Sequence, residues 1–344
     1  MERQSVIASA TEEYPWADLD IPDAGGGGCG RLLKVLLDGR CSYDCAYCGV
    51  RARRGGCSAT PAGIADTFLR MHREGRADGL FLSSGIAGDV DLAMEGIVET
   101  GEVLRRRGFR GYLHLKVLPG ASRADITDAA RVASRISINI EAPSASRLSE
   151  VAGVKDYRCD IEKRQAWVAE AMPGRHTTQL VVGAAGESDA EILSCISRQY
   201  GRLAPARVYY SAFTPVAGTP LECREATPLW RQRRLYQVDA LVHFYQFSPD
   251  LIRDVMDDDG FLPDADPKRV LARDLPPVDI NTAPLAAILR VPGIGPVGAR
   301  RICAMRRKAS LVSPADLRKC GIRMKDAAPF VRFGREVQAR LSSF

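Results

Sequence analysis

Three cysteines lie within a stretch of eight residues in this sequence. Cys41, Cys45 and Cys48 stand in the string CSYDCAYC, which follows the apolar run LLKVLL and the short turn DGR. Thiolates at this spacing on one loop can face inward together and bind an iron-sulfur cube, which then keeps one iron open for another ligand. A zinc site would need a fourth ligand, and Cys29 and Cys57 are the candidates, although neither belongs to a second CxxC pair. The spacing therefore favours iron-sulfur binding.

The composition is that of a globular protein that keeps its cysteines as thiols. With 344 residues, 46% of them hydrophobic, the chain is long enough for one large domain and a small one. A disulfide framework would spread the ten cysteines along the chain, so their clustering indicates metal or redox chemistry in a reducing compartment. No run of about eighteen apolar residues predicts a membrane span. The N-terminus lacks the apolar core of a secretory signal, and we expect a cytoplasmic protein.

Short strand-like segments and amphipathic helix-like segments alternate through most of the chain. Two of the helical segments begin with capping boxes, at Ser122 with Asp125 and at Ser188 with Glu191. Six strand units are too few for a closed eight-stranded barrel, so the pattern predicts an α/β fold, a partial (β/α)6 TIM-like barrel with functional residues at the carboxyl ends of its strands. The strand-like segments are LLKVLL, GLFLSS, GYLHLKVL, RISINI, TQLVVG and ARVYYSAF.

Changes in composition divide the chain into four parts. The predicted parts are an irregular, glycine-rich N-terminal segment at residues 1–30, the partial barrel at 31–254, a linker at 255–277 and a small all-α domain at 278–344. The linker is rich in aspartate and proline, and only helical patterns follow it.

The C-terminal region is strongly basic. From residue 300 onward there are twelve bases and only three acids, although the net charge of the whole chain is +6. This asymmetry favours a polyanionic partner, with a solvated helical surface as the alternative. The bases are Arg300, Arg301, Arg306, Arg307, Lys308, Arg318, Lys319, Arg323, Lys325, Arg332, Arg335 and Arg340.

The string CSYDCAYC, with Tyr47 before its last cysteine, resembles the cysteine motif of the radical S-adenosylmethionine (SAM) superfamily. The resemblance implies a [4Fe-4S] cluster held by Cys41, Cys45 and Cys48, with SAM bound at the remaining iron and Tyr47 close to it. It implies reductive cleavage of SAM to a 5′-deoxyadenosyl radical, which removes a hydrogen atom from the substrate. It also implies an electron donor such as flavodoxin or ferredoxin.

The resemblance extends to polar and small residues at the ends of two later strands. Ser83, Ser84 and Gly85 occupy the place of the motif that holds the methionine amino group of SAM. On the fourth strand, Asn139 or Glu141 is implied to reach the ribose.

Two further candidate sites lie on the fifth and the third strand. Gly183 and Gly186, in the string VVGAAGE, resemble the glycine-rich turn near the adenine of SAM. His114 and Lys116 alternate toward the inside of the third strand, so both are candidates to contact the substrate or the SAM carboxylate, with a partly buried structural pair as the alternative. The string FTPVAGTPL resembles the loop that usually follows the sixth strand in this superfamily.

The string VPGIGPVGARRI resembles a helix-hairpin-helix motif. Gly293 and Gly295 would let the hairpin bring backbone N–H groups close to a nucleic-acid phosphate. Ala299 and Ile302 are spaced to pack back on Leu285 and Leu289. A hairpin retained only for packing is the alternative. The residues predicted to bind nucleic acid are Gly293, Gly295, Arg300, Arg301, Arg306 and Arg307.

From about residue 30 onward, these strings together resemble the DNA modification or repair radical SAM proteins that carry a helix-hairpin-helix motif. The first hypothesis is therefore modification or repair of nucleic acid. The front of the chain departs from that family, whose longer cysteine-containing segment is replaced here. That departure leaves a second hypothesis, the tailoring of a free nucleotide by radical C–C bond formation, as in peptidyl-nucleoside antibiotic biosynthesis. A third is a non-enzymatic iron-sulfur protein that binds DNA.

Overall fold

The computed structural model describes residues 31–52 and 56–334. The N-terminal segment predicted at residues 1–30, including Cys29, lies outside the described residues. The described chain divides into two compact units, which meet in the sequence between residues 236 and 237. The predicted linker at 255–277 falls inside the second unit and stays a prediction.

The first unit is built on six parallel strands that follow one another in sequence order. Every strand pairs with the one before it, and every pairing is parallel, so each connection crosses over through helical segments. This curled, open sheet confirms the predicted α/β partial barrel. The strands are β1 (Leu32–Leu36), β2 (Gly79–Ser83), β3 (Tyr112–Lys116), β4 (Arg135–Ser137), β5 (His176–Val182) and β6 (Arg207–Ala212).

The predicted amphipathic segments form helices along the sheet. Both predicted capping boxes are present, with each serine hydroxyl accepting from a backbone N–H and each carboxylate accepting in return. The segment between β4 and β5, for which no helix was predicted, holds α5, a π-helical turn at Tyr157–Glu162 and α6. The helices are α1 (Gly49–Ala52), α2 (Pro61–Arg73), α3 (Val90–Arg106), α4 (Arg123–Val132), α5 (Ala145–Val151), α6 (Lys163–Ala171), α7 (Asp189–Leu203) and α8 (Leu229–His243).

The two faces of the sheet have different chemistry. Leu80 and Leu113 are fully buried in a core that they share with helix residues such as Phe68. Alternate residues of a strand point to the opposite face, so Phe81 and His114 lie on the concave side, where their rings pack edge to face with centroids 4.6 Å apart. The concave face therefore carries a buried histidine, unlike the apolar face that packs against the helices.

The second unit is a cluster of short helices around its own core. Ile280, Ile288, Ile302 and Leu317 are fully or almost fully buried within it. The all-α prediction is wrong in one respect, because two short strands pair in parallel; each has only two residues, too few for a sequence period. The elements are α9 (Pro249–Arg253), α10 (Pro267–Ala272), β7 (Val278–Asp279), α11 (Leu285–Arg290), α12 (Pro296–Arg306), α13 (Pro314–Lys319), α14 (Met324–Ala327), a 3₁₀ turn (Ala328–Phe330) and β8 (Val331–Arg332).

None of the helices in the described ranges has both the length and the apolar character needed to span a bilayer.

A substitution at Gly101 tests the packing of α3 on the sheet. A Cβ at Gly101 would lie 2.8 Å from Val132 Cγ2 and 3.3 Å from Leu115 Cδ1, whereas a Cβ at Gly201 would have no neighbouring atom within 4 Å. Both glycines lie in helices, so the gain in helix propensity from alanine is common to both. We expect Gly101→Ala to have a free energy of unfolding about 1–3 kcal/mol below that of Gly201→Ala. Urea unfolding measures the difference, and equal stabilities would contradict this packing.

Candidate active site and candidate nucleic-acid interface

The cysteine loop begins directly after the carboxyl end of β1. Cys41, Cys45 and Cys48 are free thiols; Cys45 is buried and the other two are partly exposed. Within residues 31–52 and 56–334, no three cysteine, histidine, aspartate or glutamate side chains lie close enough together to hold a single metal ion as they stand. A cluster is bound at its corners, so its thiolates need not converge on one point. Three free thiols on one loop are a donor set that suits an iron-sulfur cluster.

Backbone hydrogen bonds fix the loop to neighbouring elements. The Ser42 N–H donates to the carbonyl oxygen of Ile86 at 2.7 Å, and the Ala46 N–H donates to that of Val151 at 2.7 Å. The first contact reaches the segment after β2 and the second reaches the end of α5. The loop is therefore positioned by the protein itself on two sides.

The motif Ser83-Ser84-Gly85, predicted to hold the amino group of SAM, packs tightly against the start of the loop. The Gly85 N–H donates to Asp38 O at 2.7 Å, and Ser84 Oγ accepts from Asp38 N–H at 3.2 Å while donating to Gly85 O at 2.8 Å. A Cβ at Gly85 would lie 2.1 Å from Arg40 O. Glycine is therefore required at position 85 for the close approach of β2 to the residues that precede Cys41.

A chain of polar side chains joins the concave face to the loop. Lys116 Nζ donates to Asn139 Oδ1, and Asn139 Nδ2 donates to Glu141 Oε2 at 3.3 Å. The other oxygen of Glu141 accepts from Lys155 Nζ at 3.1 Å. Glu141 and Lys155 are only 9% and 8% exposed, and the Lys155 ammonium also faces the Cys45 thiol. The structure thus brings together three predicted site residues and the middle cysteine of the motif.

Charge and burial compete in this chain. Burial alone would raise the pKa of Glu141, but the charges of Lys155 and Lys116 outweigh it and lower that pKa, so the carboxylate is ionised. Burial likewise opposes the charge on Lys155, and the attraction of Glu141 and Cys45 raises its pKa in spite of it. For Lys116, burial has the largest effect, and it lowers the pKa to about 8. Glu141 and Lys155 therefore form a charged pair inside the protein.

Lys155 is the functional candidate that the sequence did not reveal. It lies in the irregular segment between α5 and the π-helical turn, where no periodic pattern marks a side chain as buried. Its partner Glu141 has a left-handed backbone with a φ of 64°, unusual for a residue other than glycine. A lysine that follows a strand-end carboxylate by 14 residues is no distinctive signal by itself.

Tyr47 lies between the last two cysteines and turns its ring inward. It packs with Val181 and Phe213, and its hydroxyl is buried without a hydrogen bond of good geometry. Burial, followed by the nearby charge of Glu141, raises its pKa well above the usual value. A buried hydroxyl without a partner is unfavourable, so this group is available to a ligand in the loop.

The glycine turn after β5 is closed by its own glutamate. The buried carboxylate of Glu187 accepts from the N–H groups of Gly183 and Ala185, the second at 3.1 Å. Gly183 has a φ of +87°, and a Cβ there would lie 2.0 Å from Thr227 Oγ1. Gly186 has a φ of +67° and is exposed. The left-handed backbone at both positions therefore favours glycine. Gly186 lies exposed at the edge of the turn.

The concave face of the sheet is also basic within the strands, before their carboxyl ends. Lys34, Phe81, His114 and Arg135 occupy one row across the first four strands. Burial lowers the pKa of His114 well below its usual value, and the charges of Lys116, Arg135 and Lys34 lower it further. His114 Nε2 lies 2.7 Å from the hydroxyl oxygen of Ser137. The neutral histidine is thus a structural member of a face on which cations predominate.

Residues 291–295, where the hairpin is predicted, form a short turn between α11 and α12 in the second unit. Gly293 has a φ of +76°, and the buried Lys268 of α10 donates to the Ile294 carbonyl oxygen at 2.7 Å. Lys268 Nζ also lies 4.7 Å from the centre of the Tyr245 ring. A Cβ at Gly295 would lie 3.3 Å from the Tyr245 hydroxyl. Lys268 and Tyr245 therefore both pack against the turn.

The predicted packing of the hairpin is only partly right. Ala299 and Ile302 are buried in the core of the second unit, with Leu289 packed against it, but Leu285 is 41% exposed. Leu285 begins α11, so its side chain lies at the open end of the hairpin. Of the predicted bases, Arg301 turns toward the Cys320 carbonyl oxygen at 3.5 Å.

Comparison with known proteins bears on the fold. No protein-family model matches the sequence, and no curated protein matches it significantly. A crystal structure of HydG, a maturase of the [FeFe]-hydrogenase, has a TM-score of 0.51 at 11% identity over 61% of this chain and 49% of its own. HydG from Carboxydothermus hydrogenoformans gives 0.50 at 11% identity over 60% and 49%. The likeness is one of fold.

The chain spans about half the length of these two structures. SuiB from Streptococcus suis, bound to S-adenosylmethionine, is similar over 62% of this chain and 47% of its own, with a TM-score of 0.48 at 15% identity.

We expect Lys155→Met to lower the free energy of unfolding by about 3–5 kcal/mol, because it leaves the Glu141 carboxylate buried without its main partner. Adding Glu141→Gln to that variant should restore part of the loss, since the uncompensated charge is removed. Lys163→Met is the control, because among the described residues the exposed side chain of Lys163 makes only a ring contact with Trp167, at 5.1 Å. Denaturant unfolding of the full chain measures all three. A Lys155→Met variant as stable as wild type would contradict the ion pair.

Lys268 predicts a pH dependence of stability. Burial lowers its pKa from 10.5 to about 7, so between these values the unfolded chain binds one more proton than the folded chain. The free energy of unfolding should therefore rise with pH from about 7 upward, by at most about 1.4 kcal/mol per pH unit from this group. Lys268→Met removes that contribution, and the exposed Lys308→Met keeps it. Unfolding at pH 7, 8 and 9 tests this, and parallel curves for wild type and Lys268→Met would rule it out.

Proposed function

We propose that this protein is a cytoplasmic radical SAM enzyme whose [4Fe-4S] cluster is bound by Cys41, Cys45 and Cys48. The observation that carries the proposal is the position of three free thiols at the carboxyl end of β1, joined through Lys155 to a polar chain on the neighbouring strands. The half-barrel fold supports it, since enzymes on such barrels work at the carboxyl ends of their strands. When bound, the cluster and SAM supply a 5′-deoxyadenosyl radical that removes a hydrogen atom from the substrate.

The surrounding residues would bind and orient SAM. The Lys155 ammonium places a positive charge beside Cys45, where it offsets the negative charge of thiolate ligands. Asn139 and Glu141 offer an amide and a carboxylate to ribose hydroxyl groups. Lys116, with a pKa near 8, offers a cation to a carboxylate. Tyr47 has a buried hydroxyl near the Glu141 carboxylate that makes no hydrogen bond of good geometry and can accept or donate one more.

Two backbone segments complete this proposed site. The end of β2, at Ser83, Ser84 and Gly85, lies against the start of the cysteine loop and would present backbone carbonyl groups to the amino group of SAM. The turn held by Glu187 would place the backbone of Gly183 and Gly186 beside the adenine, with Thr227 filling the side of Gly183 on which a Cβ would stand.

The substrate is proposed to be nucleotide-like and to lie within nucleic acid. Lys34, Lys116 and Arg135 surround His114 on the concave face, so an anionic group such as a phosphate is favoured there. In the second unit, the hairpin leads into the 11-residue helix α12. Its first residue, Pro296, has no N–H, and the next two N–H groups, of Val297 and Gly298, lack partners within the helix and can bind a phosphate. An electron donor such as flavodoxin or ferredoxin would supply the reducing electron.

The tailoring of a free nucleotide, including radical C–C bond formation, is the second candidate. The basic concave face favours it to the same degree, because that face attracts a phosphate whether or not the phosphate belongs to a polymer. The two candidates differ in whether the second unit takes part in binding the substrate.

The test compares cysteine variants prepared without oxygen. Cys41→Ala, Cys45→Ala and Cys48→Ala should each lose most of the bound iron and all formation of 5′-deoxyadenosine from SAM with dithionite. Cys57→Ala is a matched control within the same region, and Cys159→Ala and Cys223→Ala remove two other exposed thiols. All three controls should keep their iron. Zinc in the wild-type protein, with loss of metal in Cys57→Ala, would instead indicate a structural zinc site.

The same preparations separate the two candidate substrates. If nucleic acid is the substrate, DNA or RNA strands should increase the rate of 5′-deoxyadenosine formation, and mononucleotides should not. Stimulation by mononucleotides alone would favour the second candidate. A fully loaded cluster that never cleaves SAM would leave only the non-enzymatic role.

A further inference from the structure

A cavity of about 400 Å³ opens beside α11 and α12 in the second unit. Its volume lies in the range of small-molecule binding sites. One side is apolar and is formed by Leu285 and Cys303, whereas the rest is formed by guanidinium groups. The described residues that line it are Leu285, Arg300, Cys303, Arg306 and Arg307.

The described carboxylates do not neutralise the positive charge of this cavity, which we call the arginine cavity. Arg300, Arg306 and Arg307 form no ion pair with any carboxylate in residues 31–52 and 56–334. Three like charges around one space repel each other, and an anion removes that repulsion. Guanidinium groups are planar and donate in pairs, which suits the oxygen atoms of a phosphate.

Arg306 is already fixed in place for such a role. Its Nη1 donates to the carbonyl oxygens of Ile280 and Ala283, at 2.9 Å and 2.6 Å. These two bonds hold the side chain at the wall of the cavity, so that less conformational entropy is lost when an anion binds. Arg300 and Arg307 are exposed and complete the rim.

The cavity is separate from the hairpin turn. Cys303 follows Gly295 by eight residues along α12, which corresponds to about 12 Å along the helix axis. One phosphate cannot contact both places. Successive phosphates of one strand advance roughly 3.4 Å along a duplex axis, so the two places are roughly three to four phosphates apart.

We propose that the arginine cavity binds a phosphate group of a nucleic-acid strand, as a second contact some phosphates away from the hairpin. The inference rests on the proposed nucleic-acid role of the second unit and adds a binding site to it. The nucleoside next to that phosphate would lie on Leu285, the partly exposed apolar side chain at the edge of the cavity. The bound strand must then be long enough to reach both contacts.

The experiment measures binding of fluorescently labelled DNA strands of 2, 6 and 12 nucleotides to the full chain by anisotropy, between low and moderate salt. We expect affinity to rise strongly from 2 to 6 nucleotides. The variant Arg300→Gln/Arg307→Gln should bind the 12-mer about tenfold or more weakly than wild type, and its dependence of log Kd on log salt should be shallower by about 0.7, as the loss of one phosphate contact on a single strand requires. Binding of the 2-mer should change little.

The matched control is Lys308→Gln/Arg318→Gln, which removes the same charge from exposed residues outside the cavity. It should keep most of the affinity, and thermal unfolding should show both variants folded. Equal losses of affinity in the two variants would overturn the proposed binding of a phosphate in the arginine cavity. They would leave the nucleic-acid role of the second unit intact. Wild type that binds no strand at low salt would overturn both. Uridine or adenosine monophosphate that binds as tightly as the 12-mer, and only when Arg300 and Arg307 are present, would assign the cavity to a free nucleotide.

Discussion

The buried ion pair between Glu141 and Lys155 is the interaction on which the arrangement of the first unit depends. Each partner alone would be costly, because removing a charge from water is opposed by several kcal/mol. The pair is satisfied on both sides, by Asn139 at the carboxylate and by Cys45 near the ammonium. It thereby ties the end of the fourth strand to a loop that follows the first, although these segments are not neighbours in the sheet.

The backbone at Glu141 is strained in the conformation that makes this contact. A φ of 64° is unfavourable for a side chain with a Cβ, by about 1–2 kcal/mol. Two backbone hydrogen bonds hold it there: the Glu141 N–H donates to Gln179 O at 3.0 Å, and the Val181 N–H donates to Glu141 O at 2.8 Å. The fifth strand therefore enforces the turn that aims the carboxylate at Lys155, and the same strand carries the glycine turn held by Glu187.

Local signals in the sequence predicted the elements but not the contacts between them. Six strands and two capping boxes were predicted correctly, because side-chain period and capping depend on residues only a few positions apart. Lys155 was missed because its burial depends on a left-handed residue in a different segment. The position predicted for Leu285 was wrong for a similar reason, since its spacing suits the core but it stands at the first residue of α11. The two strands of the second unit have no periodic pattern to detect.

The hydrogen bonds of the cysteine loop have a consequence for how the protein matures. Ser42 and Ala46 are held by backbone partners on two other segments, and Gly85 is packed against the loop's first residues. None of these contacts requires a metal. Small zinc domains, by contrast, fold only when their ion binds. In the proposed iron-sulfur enzyme these contacts lie within the polypeptide itself, so they would help to position the three thiols before iron and sulfide arrive.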